Sequence, residues 1–144
     1  EQCSCGKYGC LEQYASATGI VRLAKRRVAK LQDARMLYGV EDVSVLTAKD
    51  IFDAAKAGDE DALAVVDEMS KILGIALANV ACAINPEVIV FGGGVSKAGD
   101  ILIQHVQKYF EKYVFYACKD VRFTLAALGN DAGIWGCVRL LLNG

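Results

Sequence analysis

The sequence predicts an α/β fold, rich in helices, with a short βαβ unit in its last third. Apolar residues recur at helical spacing through most of residues 11–84. The period then changes at Val88-Ile89-Val90-Phe91 to a continuous β-branched and aromatic run. A second strand-like run, Val121 to Leu128, follows one further helical stretch. The 144 residues are 54% hydrophobic and 23% charged with a single proline, a composition that excludes a disordered chain and suits one folding unit. A net charge of -1, without a block of about five or six like charges, gives no sign of a nucleic-acid arm or a membrane patch. The most apolar stretch, Ile72 to Ile84, is interrupted by Asn79 and falls short of the roughly 20 residues that cross a bilayer. Glu1 opens the chain without a methionine or a secretory n-region, which leads to the expectation of a cytoplasmic protein and of a fragment.

Residues 1–10, EQCSCGKYGC, hold two glycines and no apolar periodicity and read as a clip. From Leu11 the spacing of Ala15, Ile20, Leu23, Ala24, Val28 and Leu31 predicts one helix running to about Arg35. A looser segment around Gly39 to Val45 leads to Thr47, with Asp50 three residues on, a pattern close to a capping box. Gly58 closes that helix. Asp59, Glu60 and Asp61 then place negative charge where a helix macrodipole favours it. The long helix that follows is apolar almost all round from Ile72 to Ile84, which predicts burial on most sides, and Asn85-Pro86 stops it.

The run Val88 to Phe91 has the character of a strand covered on both faces and ends at Gly92-Gly93-Gly94. Ile101, Leu102, Val106, Tyr109, Phe110 and Tyr113 predict the crossover helix, and the second run predicts the paired strand. Asn130 and Asp131 read as turn and cap residues for a last helix through Trp135, Val138 and Leu141. Trp135 is expected in the core, with Cys82, Cys118 and Cys137 as small buried hydrophobes. The chain thus divides into a clip (1–10), a helical part (11–84) and a βαβα part (87–144).

Cys3, Cys5 and Cys10 follow C-x-C-x4-C, and Gly6 and Gly9 permit the tight backbone that gathers three sulfurs at one centre. This is a metal-ligand pattern, preferred over a disulfide with a spare thiol because no secretory signal supports an oxidising compartment. His105, the single histidine, lies far along the chain and reads as a partly exposed polar residue of an amphipathic helix rather than a ligand. Glu12 stands where the clip becomes helix, either held there for chemistry or simply stabilising a helix start. Gly92-Gly93-Gly94 lies after a strand and before a helix, where α/β proteins bring backbone close to a nucleotide. It lacks the spacing of a dinucleotide fingerprint or a P-loop, and a tight turn requiring positive φ explains it equally well.

CSCGKYGCLE, Cys3 to Glu12, resembles the C-x-C-G-x-x-G-C-x-E signature of the ROK family (repressors, open reading frames and kinases). The similarity continues through QYAS, INPEVIVFGGGVSKAG and LGNDAGIWG and covers nearly the whole chain. The resemblance implies the C-terminal lobe portion of an actin-like ATPase fold, of the hexokinase type. It implies that Cys3, Cys5 and Cys10 ligate a structural Zn²⁺ and that Glu12 accepts hydrogen bonds from sugar hydroxyls. It places Gly92, Gly93, Gly94, Val95 and Ser96 on the adenosine side of an ATP site. The family's fourth zinc ligand, a histidine, its D-x-G-x-T phosphate motif and its catalytic aspartate should all precede Glu1. Within the family the wording is most similar to kinases that transfer the γ-phosphoryl of MgATP to the 6-hydroxyl of glucose. A kinase for N-acetylmannosamine, fructose or allose would share these motifs, as would the sugar-binding body of a ROK repressor, the one case with a nucleic-acid partner. The expected partners are glucose or a related hexose, the missing N-terminal lobe and a second copy in a homodimer.

Overall fold

A computed structural model describes residues 1–30 and 42–143. The clip leads into α1 (Glu12–Ala15) and α2 (Ala17–Val28), followed by α3 (Ala48–Lys56) and α4 (Glu60–Ile84). Then come β1 (Val88–Phe91), α5 (Asp100–Tyr113), β2 (Arg122–Leu125) and α6 (Ala132–Asn143). β1 and β2 pair in parallel, Val88 opposite Arg122 and Phe91 opposite Leu125, with α5 as the crossover. The expected βαβ unit and helix-rich α/β architecture are therefore present.

The single helix expected from Leu11 is broken at Ser16. Its backbone is extended (φ -85°, ψ 169°), and its hydroxyl accepts the Gly19 N–H at 3.1 Å as the N-cap of α2. A capping serine offers the backbone an alternative to continuing the helix, and the apolar spacing runs on in phase across the break. α2 ends at Val28 with Ala29 as its C-cap, short of the expected Arg35, and the expected helix from Leu31 to Arg35 and the start of the loop at Gly39 lie outside the described residues. Thr47 and Asp50 form a full capping box on α3, the Thr47 hydroxyl accepting the Asp50 N–H while the Asp50 carboxylate accepts the Thr47 N–H at 2.9 Å. Gly58, at φ +90°, turns the chain after α3. Asp59 caps α4 through the Ala62 N–H, and Asn85 ends it in the left-handed conformation ahead of Pro86.

The core lies where α2, α3, α4 and α5 meet. Ile20, Leu23, Ile51, Val65, Val66, Met69, Leu102 and Val106 are buried there, each large side chain contributing about 1.5–3 kcal/mol. α4 and α5 approach closely at Gly74, where a Cβ would lie 2.7 Å from Tyr109 Cβ and 2.8 Å from the Val106 carbonyl oxygen. A smaller cluster of Ala78, Ala81, Phe110, Cys118 and Val121 continues the core toward the sheet. Phe123 joins the two clusters, stacked on Phe91 at 5.7 Å and edge-on to Phe110 at 4.9 Å.

Four burial expectations are corrected. β1 is not covered on both faces, since Ile89 and Phe91 pack inward while Val88 and Val90 are 38% and 55% exposed. The far end of α4 is also open along one side, at Val80 and Ile84. Trp135 is 57% exposed rather than in the core, and α6 presents Ile134, Val138 and Leu140 to Leu142 to solvent. Of the cysteines expected as small core residues, Cys118 is buried, whereas Cys82 and Cys137 are exposed. Among the described residues no segment covers these apolar positions.

Candidate functional site

The clip is a tight turn closed by its own backbone. The Cys3 N–H donates to the Lys7 carbonyl at 2.8 Å, the Gly6 N–H donates to the Cys3 carbonyl at 2.9 Å, and an antiparallel bridge joins Gln2 to Tyr8. Gly6 and Gly9 take φ of +83° and +78°, a conformation that other residues adopt only with strain. This turn brings the sulfurs of Cys3, Cys5 and Cys10 within 4.8 Å of one another, all as free thiols. Cys5 and Cys10 Sγ are 3.6 Å apart, close to the roughly 3.8 Å edge of a tetrahedron built on Zn–S bonds of about 2.3 Å. The three soft donors therefore fit a thiophilic cation such as Zn²⁺. The thiols also divide in acidity. Hydrogen bonds from the Cys5 N–H and thiol lower Cys3 to about 7, while the neighbouring Cys5 and Cys3 sulfurs push Cys10 up to about 11. His105 is not in this cluster; it lies on α5 with its Nδ1 3.8 Å from Asp67.

Glu12 is the first residue of α1 and exposed, directly after the last cysteine of the clip. α1 is held against α2 at two points. The Gln13 carbonyl accepts from the Arg22 guanidinium at 2.7 Å, and Gly19 lets α2 lie so close that a Cβ there would meet the Gln13 carbonyl at 2.8 Å. Arg26 bridges Glu1 and Glu68 at 3.0 and 3.1 Å, linking the clip to α2 and α4, and it holds the Glu1 carboxyl below its ordinary range.

The glycine turn faces the α1–α2 junction. A cleft of about 300 Å³ is lined on one side by Ala15, Ser16 and Ala17 and on the other by Phe91, Gly92, Gly94, Val95 and Ser96. A second cleft of about 300 Å³ adjoins it, floored by Ala17, Ala48, Phe52, Val95 and Ala98, with Lys49, Lys56, Lys97 and Asp53 at its rim. Each is at the small end of the range for ligand sites. Gly93 takes φ +75° and ψ -166°, a region essentially restricted to glycine. The turn does not enter α5 directly, because a 3₁₀ segment, Gly94–Ala98, comes between. The buried Ser96 hydroxyl donates to the Gly93 carbonyl at 2.7 Å, which folds the turn back on itself. The structure thus brings Gly92, Gly94, Val95 and Ser96 to one cleft and the three cysteines to one centre. Sequence reasoning missed Ser16, Ala17 and the Thr47–Lys56 face. The Ser16-x-x-Gly19 cap was a readable signal for the first two, whereas nothing local marks which face of α3 meets the glycine turn.

The sequence profile of the ROK family matches residues 1–143. A glucokinase of Halalkalibacterium halodurans is 50% identical over 135 residues, covering 93% of this chain and 41% of that protein. A xylose repressor of Caldicellulosiruptor bescii is 27% identical over 142 residues, covering 98% of this chain and 35% of that protein. Among solved structures, a ROK family glucokinase from Streptomyces griseus, in complex with glucose and AMPPNP, superposes with a TM-score of 0.87 at 33% identity over 99% of this chain and 47% of that one. The chain spans less than half the length of each of these proteins. Its helix-rich fold with a parallel strand pair is the one these glucokinases use, part of an actin-like ATPase architecture, and the chain belongs to the ROK family.

Proposed function

We propose that this chain supplies part of the C-terminal lobe of a cytoplasmic ATP-dependent hexose kinase, with glucose as the substrate phosphorylated at its 6-hydroxyl. The observation that carries the reading is the cleft between the α1–α2 junction and the glycine turn, with Glu12 at the start of the same α1. In this reading Glu12 accepts hydrogen bonds from sugar hydroxyls and fixes the ring. The turn at Gly92, Gly93 and Gly94, with Val95 and Ser96, receives the adenosine side of the nucleotide. Side chains there would hold a ligand away from the backbone, and glycine does not. When bound, MgATP supplies the phosphoryl group and the neutralisation of its charge. Cys3, Cys5 and Cys10 hold Zn²⁺ and thereby stiffen the clip that precedes Glu12.

None of the residues here is assigned as the catalytic base. That role belongs to the part of the kinase outside the span this chain shares with its relatives, so the chain alone is expected to give no turnover. The open apolar faces of β1 and α6 are where the other lobe and a second copy would pack. A repressor reading rests on relatives such as the xylose repressor, and the 50% identity to a glucokinase favours the kinase.

The test is a coupled assay of the whole protein with glucose and MgATP, alongside Glu12→Gln. Glucose 6-phosphate formation, with a KM for glucose raised at least tenfold in the variant, supports the reading. An unchanged KM in the variant would remove Glu12 from the sugar site.

A further inference from the structure

Gln13 touches the metal clip and the helical body at once. Its side-chain Nε2 lies 3.5 Å from Cys3 Sγ and donates an N–H to that sulfur. Its backbone carbonyl is the one clamped by Arg22 at 2.7 Å and overlain by Gly19. The side chain is therefore anchored at its own backbone and aimed at one of the three sulfurs. An amide has no charge to compete for a cation, and its donor end faces an atom that carries negative charge once the thiol gives up its proton to a metal.

We propose that Gln13 is a positioning residue of the metal clip: its amide N–H holds the Cys3 thiolate in the orientation that binds a thiophilic cation and offsets part of its charge. Through the same residue, cation binding at the clip is tied to the seating of α1 on α2, and so to the placement of Glu12. The proposal rests on the reading of Cys3, Cys5 and Cys10 as metal ligands. Partners that orient metal ligands in this way typically change affinity by about 10–100-fold when removed. A single N–H to sulfur contact belongs at the lower end of that range.

The experiment uses the whole protein with Co²⁺ and Zn²⁺ as probes. Co²⁺ binding is read from its thiolate-to-metal charge-transfer band, and Zn²⁺ affinity from competition with a chromophoric chelator. Gln13→Met keeps the length and removes the donor, while Gln13→Glu keeps the shape and places a carboxylate against the sulfur. The metal-free forms of both are expected to melt within a few degrees of the parent. The Zn²⁺ Kd is expected to rise about tenfold in Gln13→Met and further in Gln13→Glu, with a shifted Co²⁺ band in each. Zn²⁺ affinities within twofold of the parent in both variants would overturn the role of Gln13 and leave the metal site standing. A whole parent protein that shows no Co²⁺ charge-transfer band would overturn the metal site and the proposal with it.

Discussion

Replacing Gly74 by alanine sets two physical effects against each other. Gly74 is in the interior of α4, where alanine is favoured over glycine by about 0.8–1 kcal/mol on helix propensity alone. Its Cβ, however, would stand 2.7 Å from Tyr109 Cβ, 2.8 Å from the Val106 carbonyl oxygen and 2.9 Å from the Phe110 nitrogen. Two of those atoms are α5 backbone and cannot rotate aside. Comfortable carbon contacts lie near 3.5–4.0 Å, so the helices must separate by about 0.5–1 Å along the seam that buries Val106 and Phe110. Overpacking costs about 1–3 kcal/mol, and with two immovable backbone atoms under 3.0 Å the cost here is about 2–3 kcal/mol, which leaves a net loss of roughly 1–2 kcal/mol after the propensity gain. For a chain of this size that is a Tm lowered by roughly 3–8 °C. The assay is urea unfolding followed by circular dichroism, with a lower midpoint at an unchanged m-value. Gly136→Ala is the companion, since no described residue lies within 4 Å of a Cβ there, and it should be neutral or more stable by up to about 1 kcal/mol. A Gly74→Ala chain as stable as the parent would refute the close α4–α5 approach.

Other outcomes follow from single groups. Ser70 is fully buried and its hydroxyl has no hydrogen-bond partner among the described residues, so Ser70→Ala should raise stability by about 1 kcal/mol in the same urea assay. Burial pushes the Asp67 carboxyl up, but hydrogen bonds from Tyr109 and Lys108 outweigh it and hold it below its usual value. Its contribution is therefore present above the ordinary carboxylate range near pH 4 and is lost as pH falls through the lower folded value. Because the group is partly exposed, Asp67→Asn should cost no more than about 1 kcal/mol at pH 7, and stability curves of parent and variant should converge as pH falls below the ordinary carboxylate range. Elemental analysis should find one zinc per parent chain and a marked loss in Cys5→Ser, whereas Cys82→Ser, outside the cluster, should retain it.

Local chemistry was legible wherever one short pattern decides the backbone. The Thr47–Asp50 box, Gly58, Asn85-Pro86 and the strand ending at Gly92 all stand where the sequence put them. The helix break at Ser16 shows only in its capping serine, because apolar spacing averages over several turns and a single cap interrupts it without changing phase. Burial was misread at Val88, Val90, Trp135, Cys82 and Cys137. Apolar character records what a face is suited to bury against, while exposure depends on what covers it, and no described residue covers these. The cysteine cluster was readable because its three sulfurs lie within eight residues. The clefts at the glycine turn were not, since they form between segments distant in sequence that only the packing of α2 and α3 brings together.

The most direct test of the central claim is the sugar-dependent turnover of the whole protein with MgATP, followed by phosphorus NMR so that the position of the new phosphate is read as well as its formation. The expected result is glucose 6-phosphate and ADP in equal amounts. ATP left intact with glucose and with every related hexose would contradict the assignment of this chain to a hexose kinase.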